Sequence, residues 1–136
     1  MFEHLKYCDF WQIQQFIYAH DPVTVPCVSF GEAKHCHANA LLYGEMHPDW
    51  SVASGWAIYE QEIAVLHSVV IHKETNQLLD VTLSDHCKDI PFVHDPRLKI
   101  IEQWGGYEVA LDDKLMPTSI LLYEDYVAQV LLKLCS

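Results

Sequence analysis

Ile63-Ala-Val-Leu-His-Ser-Val-Val-Ile-His72, then Lys73-Glu-Thr-Asn-Gln77, then Leu78-Leu-Asp-Val-Thr-Leu83 is the stretch from which the fold is read. In the first segment Val65, His67, Val69 and Ile71 recur at every second position, the period of a strand with one face in the core. The second is a polar turn around Thr75-Asn76, and the third is again apolar and β-branched. Two such runs across a short polar turn predict a β-hairpin with a loop of three to five residues. In that hairpin His67 and Asp80 fall nearly level on neighbouring strands, where side chains on one face stand about 5 Å apart. A slip of one residue in register would send them to opposite faces.

Upstream, Ser51 to Glu60 is rich in Val, Trp, Ile and Tyr and predicts another strand, with a bulge near Gly55. Before it, Lys34 to Met46 reads as a helix stopped by His47-Pro48-Asp49. Val23 to Phe30 reads as extended, broken by Pro26. Tyr7 to Ala19 sets Cys8, Trp11, Ile13, Phe16 and Ile17 at helical spacing. Downstream, Ser84 to Pro96 is polar, carries Pro91 and Pro96, and reads as a loop. Leu98 to Trp104 is compatible with strand or helix. Gly105-Gly106 marks a turn, and Tyr107 to Leu111 a further strand. After Pro117, Ile120, Leu121, Tyr123, Tyr126, Val127, Val130, Leu131 and Leu134 fit a core helix that Thr118 or Ser119 would cap. Helices first, then a sheet, then a helix makes the expected class α+β with a mainly antiparallel sheet, in one domain over 1–136.

Composition narrows the function. Hydrophobic residues are 51 % of 136, enough for a packed core. Nineteen acidic against eight basic residues give a formal charge of −11, which leaves no basic surface for phosphates, so nucleic acid is not an expected partner. No apolar run approaches the roughly 20 residues of a membrane span. The start of the chain does not read as a secretory signal, and a cytoplasmic location is the expectation. The five cysteines, Cys8, Cys27, Cys36, Cys87 and Cys135, are odd in number and lack a CxxC pair. They suggest a reducing compartment rather than a disulfide framework.

The chemistry centres on His35-Cys-His-Ala-Asn-Ala40. A cysteine in the first turn of a helix meets unpaired backbone N–H groups and the positive end of the helix dipole, which favour a thiolate. A thiol nucleophile needs a base within reach and a group to orient that base. His67 and Asp80 supply both types, in the order Cys, His, Asp. His35 and His37, on either side of Cys36, are placed to tune its charge.

Cys36-His-Ala-Asn-Ala, Gly55-Trp-Ala-Ile-Tyr-Glu60, His67-Ser-Val-Val70 and Leu79-Asp-Val-Thr82 together resemble the papain-like cysteine hydrolases in the broad sense: NlpC/P60 peptidases, transglutaminase cores and bacterial glutamine deamidases. The resemblance spans roughly residues 30 to 83. It implies a papain-like core with helices packed on the sheet, Cys36 as nucleophile, His67 as base and acid, and Asp80 as orienter. The implied activity is amide hydrolysis or acyl transfer through an acyl-thioester, on a protein or peptide substrate, with no cofactor and no metal. The family's Gln upstream of the cysteine is missing between Pro22 and Cys36, and His37 stands where many members have an aromatic residue. Asn39, Lys34 and Trp56 are the candidates for a second oxyanion donor or for substrate binding.

Two rivals remain open. One is a non-catalytic protein-binding module of the same fold. The other is a zinc site, because nine histidines include His35 and His37 around Cys36, then His67, His72 and His86-Cys87. No HxxxH or HExxH spacing accompanies them. No GxSxG serine elbow and no phosphate-binding glycine loop occur. Oligomeric state is not legible.

Overall fold

The computed structural model describes residues 6–7, 10–32, 34–60, 62–82, 90–103 and 105–122. The elements run β1 (Lys6–Tyr7), α1 (Phe10–Tyr18), β2 (Val23–Val25), β3 (Cys27–Gly31), α2 (Cys36–Met46), β4 (Trp50–Tyr59) and β5 (Ile63–His72). Then follow β6 (Leu78–Thr82), β7 (Ile90–His94), β8 (Lys99–Gln103), β9 (Gly106–Leu111), β10 (Lys114–Leu115) and β11 (Ser119–Leu121). The larger sheet has the order β2-β7-β4-β5-β6-β3, with β11 also paired to β5; it curls into a half-barrel. A smaller sheet has the order β1-β10-β9-β8.

The expected layering of N-terminal helices on a papain-like sheet, closed by a C-terminal helix, is therefore corrected. Among the described residues the chain is mostly strand, with two short helices. The stretch read as a loop holds β7, whose Pro91 pairs with Thr24 of the edge strand β2 and lies just beyond the three-residue ladder of β7 to β4. A proline is tolerated there because no central ladder bond is asked of its missing N–H. Leu98 to Trp104, left undecided by its pattern, contains β8. After Pro117 the chain enters β11, where Ile120 is buried between exposed Ser119 and Leu121, a strand alternation. The remaining positions of the expected helix, from Tyr123 on, lie outside the described residues.

The predicted hairpin of β5 and β6 is present, and so are α1 and α2 close to their expected bounds. Both faces of the β4–β5 pair are covered. On one face Ala64 and Leu66 join Trp56, Ile58, Val93, Ile13 and Ile17 of α1, and Val109 of the small sheet. Further along the same face Val70 joins Val81 and Ala40 of α2. On the other face Val69 packs with Ala53, Val25 and Phe92. Ser68 lies between Leu66 and Val70, wholly buried, a polar point in the seam between two apolar clusters.

Gly55 is not a bulge: β4 pairs with β5 without a break from Trp50–His72 to Tyr59–Ile63. Its lack of a side chain serves a close approach, since a Cβ there would run into the Val93 carbonyl of β7 and crowd the Phe92 ring. Backbone cannot yield as a flexible side chain can. Gly55→Ala is expected to destabilise by about 1–3 kcal/mol or more. Gly106→Ala, which meets nothing within 4 Å, should change stability far less. Urea unfolding of the two variants against the parent checks this.

Candidate active site

The second edge of β5 has two partners. Antiparallel to it, β11 pairs Ser119, Ile120 and Leu121 with Val65, Ala64 and Ile63. Likewise β6 pairs Leu79 with Val70 and Leu78 with Ile71. Beyond Leu79, β6 turns its ladder to β3, with Asp80 opposite Cys27 and Thr82 opposite Gly31. His67, Ser68 and Val69 are left between the two ladders. The start of α2 fills this window: Cys36 is near enough to His67 for the imidazole to act on its thiol, and His37 Nδ1 lies 2.7 Å from Ser68 Oγ. Consecutive strand residues point to opposite faces, so the first two residues of the helix straddle the open edge.

Across the parting, His67 Nε2 lies 2.7 Å from Asp80 Oδ2. Asp80 is 5 % exposed, and its other oxygen accepts the Thr82 backbone N–H at 3.0 Å. With Nε2 engaged by the carboxylate, the ring's Nδ1 is the nitrogen left for sulfur. The Phe92 ring stands edge-on to the imidazole, centroids 6.3 Å apart, and limits how it can turn. The three residues expected to converge do so.

Their charges interlock. Burial pushes the Cys36 thiol up, but hydrogen bonds and charge interactions with His37 and His67 outweigh it and bring the pKa down to about 5. Burial depresses His67, while Asp80 and Cys36 raise it to about 9. Between those limits the pair rests as thiolate and imidazolium. Tyr59, on β4, is raised by burial and then by the charges of Asp80 and Cys36, so its hydroxyl borders the same site. His94, opposite Gly55 as His67 is on the other side, is lowered by burial, with Asp95 acting against this.

The oxyanion and substrate candidates separate. Trp56 is 1 % exposed and lies in the main core. The Asn39 carboxamide is a staple: its Nδ2 donates to the Glu32 carbonyl at 2.8 Å and to Thr82 Oγ1 at 3.1 Å, tying the loop before α2 to β6. Gly31 must be a glycine because a Cβ there would collide with that carboxamide. Lys34 is exposed and turns the chain into the helix with φ 68°. His35, the residue before the first helical turn, makes no side-chain cap bond. The N–H of Cys36 therefore has no cap acceptor from that side chain and faces the same end of the helix as the sulfur.

The arrangement also draws in residues the pattern did not single out. Ser68 Oγ lies 2.7 Å from His37 Nδ1 and 2.7 Å from Ser54 Oγ, and both serines are buried. The available signal was a lone serine in an apolar strand, directly after the candidate base.

Cys36 is the free cysteine among the described residues, whereas Cys27 is disulfide-bonded, a bridge where the sequence suggested a reducing compartment and no disulfide framework. Among the described residues no three His, Cys, Asp or Glu side chains are grouped to hold a metal ion. His86-Cys87 of the zinc reading lie outside them. No described helix is long and apolar enough to cross a membrane.

The fold and site define a mainly β protein with a thiol, an imidazole and a buried carboxylate in series. Comparison with known proteins finds no matching family model, curated protein or solved structure.

A lowered thiol pKa keeps the charged form down to low pH. Alkylation of Cys36 by iodoacetamide should be half-maximal near pH 5 and level through neutrality, whereas an ordinary thiol reaches half its limiting rate near 8.5. A rate–pH profile followed by mass spectrometry checks this.

Proposed function

We propose that this protein is a cysteine-dependent amide hydrolase or acyl transferase acting on a protein or peptide substrate. The observation that carries the reading is the His67–Asp80 contact of 2.7 Å, made by a ring that also helps to lower the pKa of a free thiol at the start of a helix. These side chains support the chemistry whatever the ancestry of the chain.

The thiolate of Cys36 attacks the amide carbonyl, and the electron pair moves to oxygen. The N–H at the start of α2 is placed to meet that developing charge. Collapse expels the amine, which takes the proton held on His67, and leaves an acyl-thioester. His67 then deprotonates water or an acceptor amine, which attacks the thioester and returns the thiolate. Water gives a peptidase or glutamine deamidase; an amine gives a transferase. Asp80 holds the ring and opposes its positive charge throughout.

The deciding experiment is interception of the acyl-thioester. The protein is incubated with a panel of glutamine-containing and amide-linked peptides plus hydroxylamine. Hydroxamate formation and the acyl adduct on Cys36 are read by mass spectrometry. The parent protein should form both, and Cys36→Ala neither; product formed equally by Cys36→Ala would overturn the reading. Asp80→Asn should keep the adduct site but slow turnover by about 10^2–10^4-fold. Turnover should fall below about pH 5, as the thiolate protonates, and above about pH 9, as His67 loses the proton that the leaving amine needs.

A further inference from the structure

We propose that His37 is a positioning residue for the nucleophile, holding the Cys36 sulfur as a thiolate through an N–H aimed by the buried Ser68–Ser54 hydroxyl pair, while His67 and Asp80 carry the proton. This rests on Cys36 being the nucleophile.

His37 Nδ1 lies 2.7 Å from Ser68 Oγ and 3.7 Å from Cys36 Sγ, and Ser68 Oγ lies 2.7 Å from Ser54 Oγ. One ring nitrogen thus serves an oxygen and a sulfur. Two proton arrangements satisfy the chain. In one, Ser54 donates to Ser68 and Ser68 donates to a bare Nδ1, which offers nothing to sulfur. In the other, Nδ1 carries the proton, shares it between Ser68 Oγ and Sγ, and Ser68 donates onward to Ser54. A negative sulfur selects the second, because the positive end of the N–H then faces the charge. Both serines are buried between apolar clusters. Water does not compete there for these protons, so the direction of the chain is set by the sulfur and the ring.

The two histidines are therefore unequal. His67 is bound to a carboxylate, which favours its imidazolium form and suits it to give and take a proton. His37 is bound to neutral hydroxyls, which orient its ring without supplying a charge. The titratable groups around the sulfur are His37 on α2, His67 on β5, Asp80 beyond it on β6, and Tyr59 on β4. His67 gives its proton to the leaving amine during acylation. An N–H from His37 does not depend on that event and still faces the sulfur when the thioester breaks.

The test is the rate–pH profile of Cys36 alkylation in the full chain, with thermal unfolding of each variant alongside. His37→Ala should move the half-maximal pH upward by at least one unit. Ser68→Ala, which removes the hydroxyl that aims His37 while leaving the sulfur and both imidazoles in place, should move it the same way by less. His37→Gln, whose carboxamide offers an N–H, should restore part of the shift. His67→Ala should keep a thiol more acidic than an ordinary one while amide turnover is lost, and the double variant His37→Ala/His67→Ala should titrate at or above the roughly 8.5 of a free cysteine, because burial alone then acts on the thiol. An unshifted profile in both His37→Ala and Ser68→Ala, whatever their melting temperatures, would overturn the role of His37. If His37→Ala does not fold, the Ser68→Ala profile decides alone. Should the parent thiol itself titrate as an ordinary one, the nucleophile reading fails first.

Discussion

The site exists because one strand edge is shared by two partners that do not meet. With β11 along Ile63–Val65 and β6 along Val70–Ile71, the second edge of β5 is left open for His67, Ser68 and Val69. Continued in the same register, β6 would bring Thr82 level with His67 and occupy the space into which α2 begins. Instead β6 leaves for β3, and the parting lets Asp80 reach back across to the imidazole at 2.7 Å. The Asn39 carboxamide, bonded to Thr82 and to the Glu32 carbonyl, fixes the helix start to the diverging strand. Gly31 leaves the room that this carboxamide needs, since a Cβ there would collide with it.

Electrostatics then follow from burial. For both Cys36 and His67 the largest single influence is desolvation, and it opposes the charged form of each. The charged pair prevails because each group has more than one partner: sulfur has two imidazoles, and His67 has a carboxylate and the sulfur. Removing one member of such a buried set leaves its partners less well compensated, so each loss weakens the charged state of the others. Tyr59, raised partly by the same negative charges, feels the set from the neighbouring strand.

Much of this was legible from side-chain type and spacing. The β5–β6 hairpin followed from alternation around a polar turn, and α2 from the run that His47-Pro48-Asp49 stops. The order of thiol, imidazole and carboxylate followed from those elements. The layered papain-like architecture did not hold, because β7 hides behind two prolines and β8 and β11 are short apolar runs without a period long enough to decide between strand and helix. Trp56 and Asn39 were assigned to substrate or oxyanion by residue type. Trp56 instead fills the core, and Asn39 joins two backbone segments far apart in the chain.

By itself the sequence determined the local choices: where the chain turns, which residues alternate, and which chemically able side chains begin a helix or lie on a strand. These depend on near neighbours, whose spacing is written in the chain. Only the tertiary structure decided that β6 abandons β5 at Asp80, that a buried serine pair backs His37, and that Gly55 yields room to the Val93 carbonyl. Each of these is a contact between residues distant in sequence. Its occurrence depends on ladder register and sheet curl, and no single segment carries either.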